Sequence, residues 1–411
     1  MNEGWQRLKY LVEVNARDLD EKVDPGFEFR YLDIGSVGRG ALFEEPERMT
    51  FAEAPARARR LVQSGDTIVS TVRTYLRAVW PVQGETDDLI VSTGFAVLSP
   101  GPRLDARYLG WIAQSDPVIE EIVARSVGVS YPAINGSEIG DIPVPIPSLP
   151  AQRAIADYLD AETARIDRLV TAERQRSELA AARLVSATQA LVLGREDEQG
   201  VSNREIGPLV PVPDGWGTRR NKTFMREIVA LSEKGEEELL TVSHITGVTT
   251  RAEKDVTMFL AESNEGYKRV EAGDLVINTM WAWMGALGVS HVAGIVSPAY
   301  GVYRFVDPEA DPRYFDALFR SPAYVTEMTR HSKGVWTSRL RLYPEPFLAI
   351  RTPFPPPVTQ TRIADAVEEL RSERSRQVRL FERSIELLLE RRQALITAAV
   401  AGQIEMPGVA A

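Results

Sequence analysis

The sequence contains no cysteine and only 3 histidines, His244, His291 and His331. Disulfides and thiolate metal sites are therefore excluded, and the histidines share no ligand spacing, so no metal site is predicted. The N-terminus lacks the basic and apolar regions of a signal peptide, and no run approaches about 18 apolar residues. We expect a cytoplasmic protein without a membrane segment.

Signatures of catalysis are also missing. The sequence has no Gly-x-x-x-x-Gly-Lys-Ser/Thr loop to bind a triphosphate and no Asn/Asp-Pro-Pro-Tyr/Phe loop to hold a flipped adenine. A nuclease is the least favoured alternative, because we find no convincing pair of carboxylates beside a lysine at metal-site spacing. We therefore predict no catalytic residue and no cofactor bound by this chain.

Positive charge is in short supply, since 48 Lys and Arg stand against 58 Asp and Glu, a net charge of −10. Phosphate contacts require Lys and Arg, so any affinity for DNA must come from local patches or from partner proteins. Taken alone, the charge favours another function, a helical scaffold or adaptor that binds protein or glycan. The 411 residues and the 44% hydrophobic content predict two or three globular domains.

An internal repeat with a period of about 206 residues runs through the chain. The matched segments are 64–71 with 272–279, 90–92 with 295–297, 105–108 with 311–314, and 126–129 with 332–335. Each half ends in a proline-rich segment, 142–147 or 353–357, which predicts a rigid extended spacer. The order of the segments is the same in both halves.

A long helix is predicted after each spacer, beginning near Gln152 and Gln360 and running for about 40 residues, roughly 60 Å. Apolar residues recur mostly at spacings of three and four, which for one helix would usually indicate a core-facing surface helix. Two helices of matching length and phase favour mutual pairing instead. The predicted seam comprises Ile155, Leu159, Ile166, Leu169, Ile363, Val367, Leu370, Phe381, Ile385 and Leu388.

Three segments carry a resemblance to a known family. Residues 146–160, which read IPSLPAQRAIADYLD, residues 213–216, PDGW, and residues 278–290, NTMWAWMGALGVS, resemble the specificity subunits of type I restriction-modification systems. The resemblance extends from Trp5 to about Ala401. It departs from the usual pattern at Thr359, where an acidic residue or a small spacer is common.

The resemblance implies an α+β fold: two target-recognition domains in a pseudo-two-fold tandem repeat, separated by two long, antiparallel, coiled-coil-like helices. The expected domains are a first target-recognition domain (1–147), a central helix (148–195), a linker (196–211), a second target-recognition domain (212–355), a C-terminal helix (356–401) and a tail (402–411).

The resemblance also implies a function. Such a chain is a non-catalytic subunit that binds a bipartite site on double-stranded DNA and positions two methyltransferase subunits and the restriction subunits. S-adenosylmethionine, ATP and Mg²⁺ would then be bound by those partners, which methylate adenine at N6 and cleave unmodified DNA.

Polar and aromatic side chains follow matching strands and turns in the two halves. Arginine pairs with guanine, asparagine with adenine, and lysine or serine with phosphate, so these loops are candidates for reading DNA. The alternative is that the tryptophans pack in a core and the arginines pair with surface carboxylates. The candidates are Arg73, Thr74, Tyr75, Arg77, Ser130, Tyr131, Asn278, Trp281, Trp283, Lys333, Trp336, Ser338, Arg339 and Arg341.

Overall fold

The computed structural model describes residues 4–20, 22–195, 201–206, 210–251, 263–336 and 339–405, and only the backbone of 201–206, 210 and 211. The chain divides into two compact units. Unit 1 consists of Met1–Glu173 with Glu382–Ala411, and unit 2 is Arg174–Phe381. Whereas the predicted domains follow one another along the chain, each unit combines a globular region with the start of one long helix and the end of the other.

Unit 1 contains two four-stranded sheets and one strand pair. Its strands are β1 Trp5–Arg7, β2 Val12–Val14, β3 Glu28–Leu32, β4 Glu47–Thr50, β5 Ala58–Leu61, β6 Thr67–Ser70, β7 Val79–Pro81, β8 Leu89–Ser92, β9 Phe95–Pro100 and β10 Pro143–Pro145. Its helices are α1 Ala106–Gln114, α2 Asp116–Arg125, α3 Gly136–Gly140 and the first part of α4 Leu149–Val192. The strand orders are β2-β9-β6-β7, β4-β3-β8-β5 and β1-β10.

Unit 2 repeats most of this plan. Its strands are β11 Val201–Ile206, β12 Val210–Pro213, β13 Gly217–Arg220, β14 Met225–Glu227, β15 Leu240–Ser243, β16 Gly247–Thr250, β17 Lys268–Val270, β18 Leu275–Asn278, β19 Leu287–Val289, β20 Gly294–Val296, β21 Tyr300–Phe305 and β22 Arg351–Phe354. Its helices are α5 Pro312–Phe319, α6 Pro322–His331, α7 Pro344–Ala349 and the first part of α8 Pro357–Val400. The strand order β14-β21-β18-β19 reproduces β2-β9-β6-β7, and the pair β13-β22 reproduces β1-β10.

The predicted α+β class and its twofold repetition are confirmed, but the second sheet differs between the units. In unit 1 it has four strands and includes the parallel pair β3-β8. In the described part of unit 2, the corresponding region forms the separate pairs β15-β16 and β17-β20. The segment predicted as a linker, 196–211, contains β11 and the start of β12, because its Val and Ile residues favour extended backbone.

The repeated Gly-Asp pair is a turn with a buried carboxylate. Asp66 accepts a hydrogen bond from the amide of Gln63 (2.8 Å) and pairs with Arg17 (2.6 Å). In unit 2, Asp274 accepts from the amide of Glu271 (2.9 Å) and pairs with Arg304 (2.8 Å). The glycines before these aspartates, Gly65 and Gly273, have φ angles of +94° and +93°, a conformation that favours glycine. The motif therefore fixes the turn that leads into the central strand.

Both long helices have 44 residues. In unit 1, Arg392 of α8 contacts Asp167 of α4 at 3.1 Å. In unit 2, Arg374 of α8 donates to the carbonyl of Ser177 of α4 at 3.0 Å. Because higher residue numbers on α4 face lower numbers on α8, the helices run antiparallel. No helix in the described ranges is both long and apolar enough to cross a membrane.

The predicted seam needs one correction on α4. Ile155, Leu159 and Ile166 are buried, but Leu169 is 48% exposed. The neighbouring Val170, only 6% exposed, lies on the packed face instead. Steps of three and of four from Ile166 lead to Leu169 and Val170, and only Val170 lies on the packed face.

On α8, the predicted seam residues differ in depth. Ile363 and Val367 belong to the core of unit 2, and Leu370 packs at its edge. Phe381, Ile385 and Leu388 are half-buried. The Phe381 ring lies 5.2 Å from the guanidinium group of Arg176 on α4.

Candidate nucleic-acid interface

In unit 1, two segments far apart in the sequence meet in a surface feature that we call tip 1. It consists of residues 71–77, which follow β6, and residues 126–133, which follow α2. The amide of Arg73 donates to the carbonyl of Pro132 (2.8 Å), and the amide of Ile134 donates to the carbonyl of Thr71 (2.9 Å). Two further backbone hydrogen bonds, between Val127 and Ala133, close the second segment into a loop.

Tip 1 brings several predicted residues together. The Arg73 guanidinium lies 5.0 Å from the centre of the Tyr131 ring. Tyr75 and Tyr131 are 54% and 67% exposed, and Ser130 is exposed as well. Arg73 and Arg77 have positive φ angles of 50° and 55°, a conformation that non-glycine residues rarely adopt and that clusters at ligand-binding sites.

Two of the predicted tip 1 residues are engaged within the unit. Thr74 is buried, and its hydroxyl lies 2.8 Å from that of Ser126, so the structure does not present this predicted residue at the surface. It fixes the first segment to the end of α2. The Arg77 guanidinium lies 3.6 Å from the Asp116 carboxylate. This arginine therefore pairs with a carboxylate of its own unit, as the alternative for the arginines predicts.

Unit 2 has a corresponding feature, tip 2, formed by residues 279–285 after β18 and by residues 333–336 and 339–341 after α6. The amide of Leu342 donates to the carbonyl of Thr279 at 3.0 Å, as Ile134 does to Thr71 in unit 1. Lys333 and Arg341 exchange two backbone hydrogen bonds of 2.9 Å. The backbone scaffold of the tip is therefore repeated, although its side chains differ.

Tip 2 is aromatic and basic. Trp281 and Trp336 are 52% and 69% exposed. The side chains of Lys333, Arg339 and Arg341 are exposed and form no hydrogen bond or ion pair with the described residues. They are free to bind an external anion.

The other three predicted residues of unit 2 are not among the exposed side chains described for tip 2. Asn278 is buried; its Nδ2 donates to the Tyr300 hydroxyl (3.2 Å) and its Oδ1 accepts from the amide of Met280 (3.2 Å), so the structure does not present this predicted DNA-binding side chain at the surface. Trp283 is half-buried and its indole nitrogen donates to the carbonyl of Met280 at 3.1 Å. Ser338 lies outside the described residues.

The local charge at the tips is opposite to the net charge of the chain. Residues 328–344 contain Arg330, Lys333, Arg339 and Arg341 and no Asp or Glu. Residues 67–84, 122–137 and 275–306 also contain no acidic residue. A positive patch can therefore form in a chain of net charge −10, and a search for acid-free stretches would have found it in the sequence.

Exposed aliphatic residues at the tips escaped the sequence analysis. Val127, Val129 and Val335 are 79%, 102% and 92% exposed. They lie beside Gly128 and Gly334, whose φ angles are +122° and +159°. Side chains of this kind can contact thymine methyl groups. Within the described residues, no group of three or more His, Cys, Asp or Glu is placed to hold a metal ion.

No family model and no curated protein matches the sequence. Solved structures do match over nearly the whole chain. One is a chain from a study of complex assembly and conformational transition of the type I R-M system, with 21% identity, a TM-score of 0.66 and coverage of 98% of this chain and 99% of that one. Another is the HsdS subunit from Thermoanaerobacter tengcongensis, with 20% identity, a TM-score of 0.51 and 98% coverage of each chain.

The chain has the HsdS fold. Coverage on both sides means that the likeness includes both units and both long helices, not one domain alone. At 20–21% identity the likeness establishes the fold but not the side chains at the tips. The chemistry of the tips follows from the residues of this chain.

Proposed function

We propose that this chain is the specificity subunit of a type I restriction-modification complex and that it reads a bipartite DNA site, one half with each unit. The observation that carries the proposal is the pair of tips. The same backbone scaffold presents Arg73 and Tyr131 in unit 1, and Trp336, Arg339 and Arg341 in unit 2. Arginine reads base edges or phosphates, and different side chains predict different half-sites.

The proposed partners follow from the same fold. Two methyltransferase subunits would bind along the helices, and restriction subunits would join them. The chain itself would be non-catalytic, with S-adenosylmethionine, ATP and Mg²⁺ held by those subunits. Exposed leucines on the helices, Leu169 and Leu179 on α4 and Leu380 and Leu387 on α8, offer apolar surface for such a partner.

The test is to map N6-methyladenine in host DNA by long-read sequencing, with the gene present, deleted, and replaced by a Trp336→Ala, Arg341→Gln variant. We expect a two-part motif with an internal gap to lose methylation on deletion. The variant should weaken or alter recognition of one half of that motif only. A matched control is Arg362→Gln, an exposed arginine on α8 outside both tips.

The alternative scaffold function makes the opposite prediction. A protein- or glycan-binding adaptor leaves every methylated motif unchanged on deletion. It also gives no salt-dependent DNA binding when the chain is assembled with the neighbouring methyltransferase subunits. Loss of a methylated motif on deletion, or salt-dependent DNA binding by the assembled complex, would support the specificity subunit and exclude the adaptor.

A further inference from the structure

A cavity of about 510 Å³ lies in unit 2 and shares no lining residue with tip 2. Its walls are the second part of α4, the β15-β16 hairpin, α5 and α8. Three arginines line it, together with two exposed histidines, whereas Asp316 is the only acidic residue among the lining residues that the structure describes. The lining arginines are Arg320, Arg371 and Arg374, and the histidines are His244 and His291.

Among the described lining residues, positive charges outnumber negative ones. Asp316 pairs with Arg371 at 3.1 Å and lies 3.9 Å from Arg320, and it also accepts the amide of Val289 at 3.0 Å. Burial lowers the pKa of Arg320, the charge of Asp316 offsets this in part, and the nearby Arg371 lowers it further. One carboxylate therefore faces three guanidinium groups.

Arg374 supplies a donor that no described residue of the unit uses. Its Nη2 donates to the carbonyl of Ser177 at 3.0 Å, but its Nη1 is buried and has no hydrogen-bond partner among the described residues. A buried charged donor without an acceptor is costly, so the structure around Arg374 leaves part of its guanidinium group unsatisfied.

The repeat shows that the fold does not require these charges. Tyr108 and Gln152 of unit 1 correspond to Tyr314 and Gln360 of unit 2, which fixes the alignment of the helices. The four charged residues then correspond to uncharged ones: Asp316 to Gly110, Arg320 to Gln114, Arg371 to Thr163 and Arg374 to Ile166. The same scaffold thus forms in unit 1 without any of them.

We propose that this cavity binds a small phosphate-bearing ligand of nucleotide size, with its phosphates on Arg371 and Arg374. Guanidinium groups bind phosphate through paired hydrogen bonds, and pockets for small molecules typically measure about 300–1,000 Å³. Leu184, Val185 and Ile245 provide an apolar wall for the rest of the ligand. A cavity set between two helices and a hairpin admits a free ligand more readily than the broad backbone of a DNA duplex.

Direct binding of ATP to the full-length chain, by calorimetry at fixed ionic strength, tests this proposal. Arg374→Ile and Arg371→Thr introduce the residues that unit 1 has at the same positions, so both variants should fold. We expect each to bind ATP at least tenfold more weakly than the wild type. Arg362→Gln, which removes an exposed arginine on the same helix, should bind normally, and thermal unfolding checks that all variants are folded.

Competing ligands test whether the phosphate groups are what the cavity recognises. Pyrophosphate should compete with ATP, while S-adenosylmethionine, which has no phosphate, should not. Absence of ATP binding, or equal binding by the wild type and the Arg374→Ile variant, overturns the proposal. So does weakened duplex binding by the assembled complex without any nucleotide binding, because the phosphate would then belong to DNA. Since nucleotide binding is measured directly, it does not depend on whether the methylation map changes.

Discussion

At the scale of single residues, one buried glutamine in each half joins the proline-rich segment to the long helix that follows it. The Gln360 side chain accepts from the amide of Asp311 (2.9 Å) and donates to the carbonyl of Pro355 (2.8 Å). Gln152 does the same with Asp105 (2.8 Å) and Pro147 (2.9 Å). The glutamine of the repeated motif is therefore a clamp that satisfies a carbonyl of the proline-rich segment and the amide of the aspartate that precedes α1 or α5.

Removing one clamp should destabilise the protein. Gln360→Ala leaves the partly buried amide of Asp311 and the buried carbonyl of Pro355 unpaired, and we expect the free energy of unfolding to fall by about 2 kcal/mol. Urea denaturation measures the loss. The control is Thr361→Ala at the exposed neighbouring position, where the change should stay within about 0.5 kcal/mol. Equal effects at both positions would mean that the clamp contributes nothing specific.

Lys333 offers a residue-scale test of DNA binding. If its free ammonium group meets a phosphate, Lys333→Gln should weaken binding by the assembled complex similarly for cognate and unrelated duplexes. The slope of log affinity against log salt should become shallower by about 1, because one fewer counterion is released. Affinity measured across a salt series gives the slope. An unchanged slope would exclude Lys333 from the phosphate contacts.

Buried tyrosines should make stability sensitive to alkaline pH. Burial raises the pKa of Tyr314 well above its usual value, and its hydroxyl donates to the carbonyl of Val192 at 3.0 Å. The folded state thus keeps the phenolic proton at a pH where the unfolded chain loses it. The contribution to stability is complete below about pH 10 and is lost as the pH rises further.

The corresponding variant is Tyr314→Phe. At pH 8 it should lower stability by about 1 kcal/mol through the lost hydrogen bond. Between pH 9 and pH 11 its stability should fall less steeply than that of the wild type, as measured by denaturant titration at each pH. Tyr10→Phe, at a position that is 65% exposed, is the control and should follow the wild-type curve. Parallel curves for all three proteins would contradict the prediction.

At the scale of elements, the long helices show which features sequence periodicity predicts and which it does not. Spacings of three and four correctly predicted two long helices and nine of the ten seam positions as buried or half-buried, because a packed stripe needs that period. The choice between Leu169 and Val170 depends on the facing surface, which no single sequence contains. For the same reason Thr74 and Asn278 looked like free polar groups, although each has a partner from a distant segment.

A matched pair of variants tests the corrected seam. Val170→Gln places a polar side chain on the packed face and should lower the free energy of unfolding by about 2 kcal/mol. Leu169→Gln, at the exposed adjacent position, should change it by less than about 0.5 kcal/mol in the isolated chain. Denaturation of both variants under identical conditions decides the matter. A larger loss at Leu169 would restore the original assignment.

At the scale of the whole molecule, each unit completes its core with the end of a helix that starts in the other. Ile396 and Val400 of α8 belong to the core of unit 1. The Thr397 hydroxyl also accepts from the amide of Asp116 at 3.1 Å, and the Gln393 side chain donates to the carbonyl of Gln114 at 3.2 Å. A unit can therefore be transplanted intact only if both of its chain segments are exchanged.

This interdependence sharpens the domain-exchange prediction. Replacing residues 1–147 with those of another such subunit should change one half-site and leave the other, as read from the methylation map. Exchanging residues 382–405 as well should change the same half-site but give a higher melting temperature, because the contacts of Thr397 and Gln393 are then matched to their own partners. A chimera that alters both half-sites, or neither, would contradict the assignment of one half-site to each unit, whichever version is the more stable.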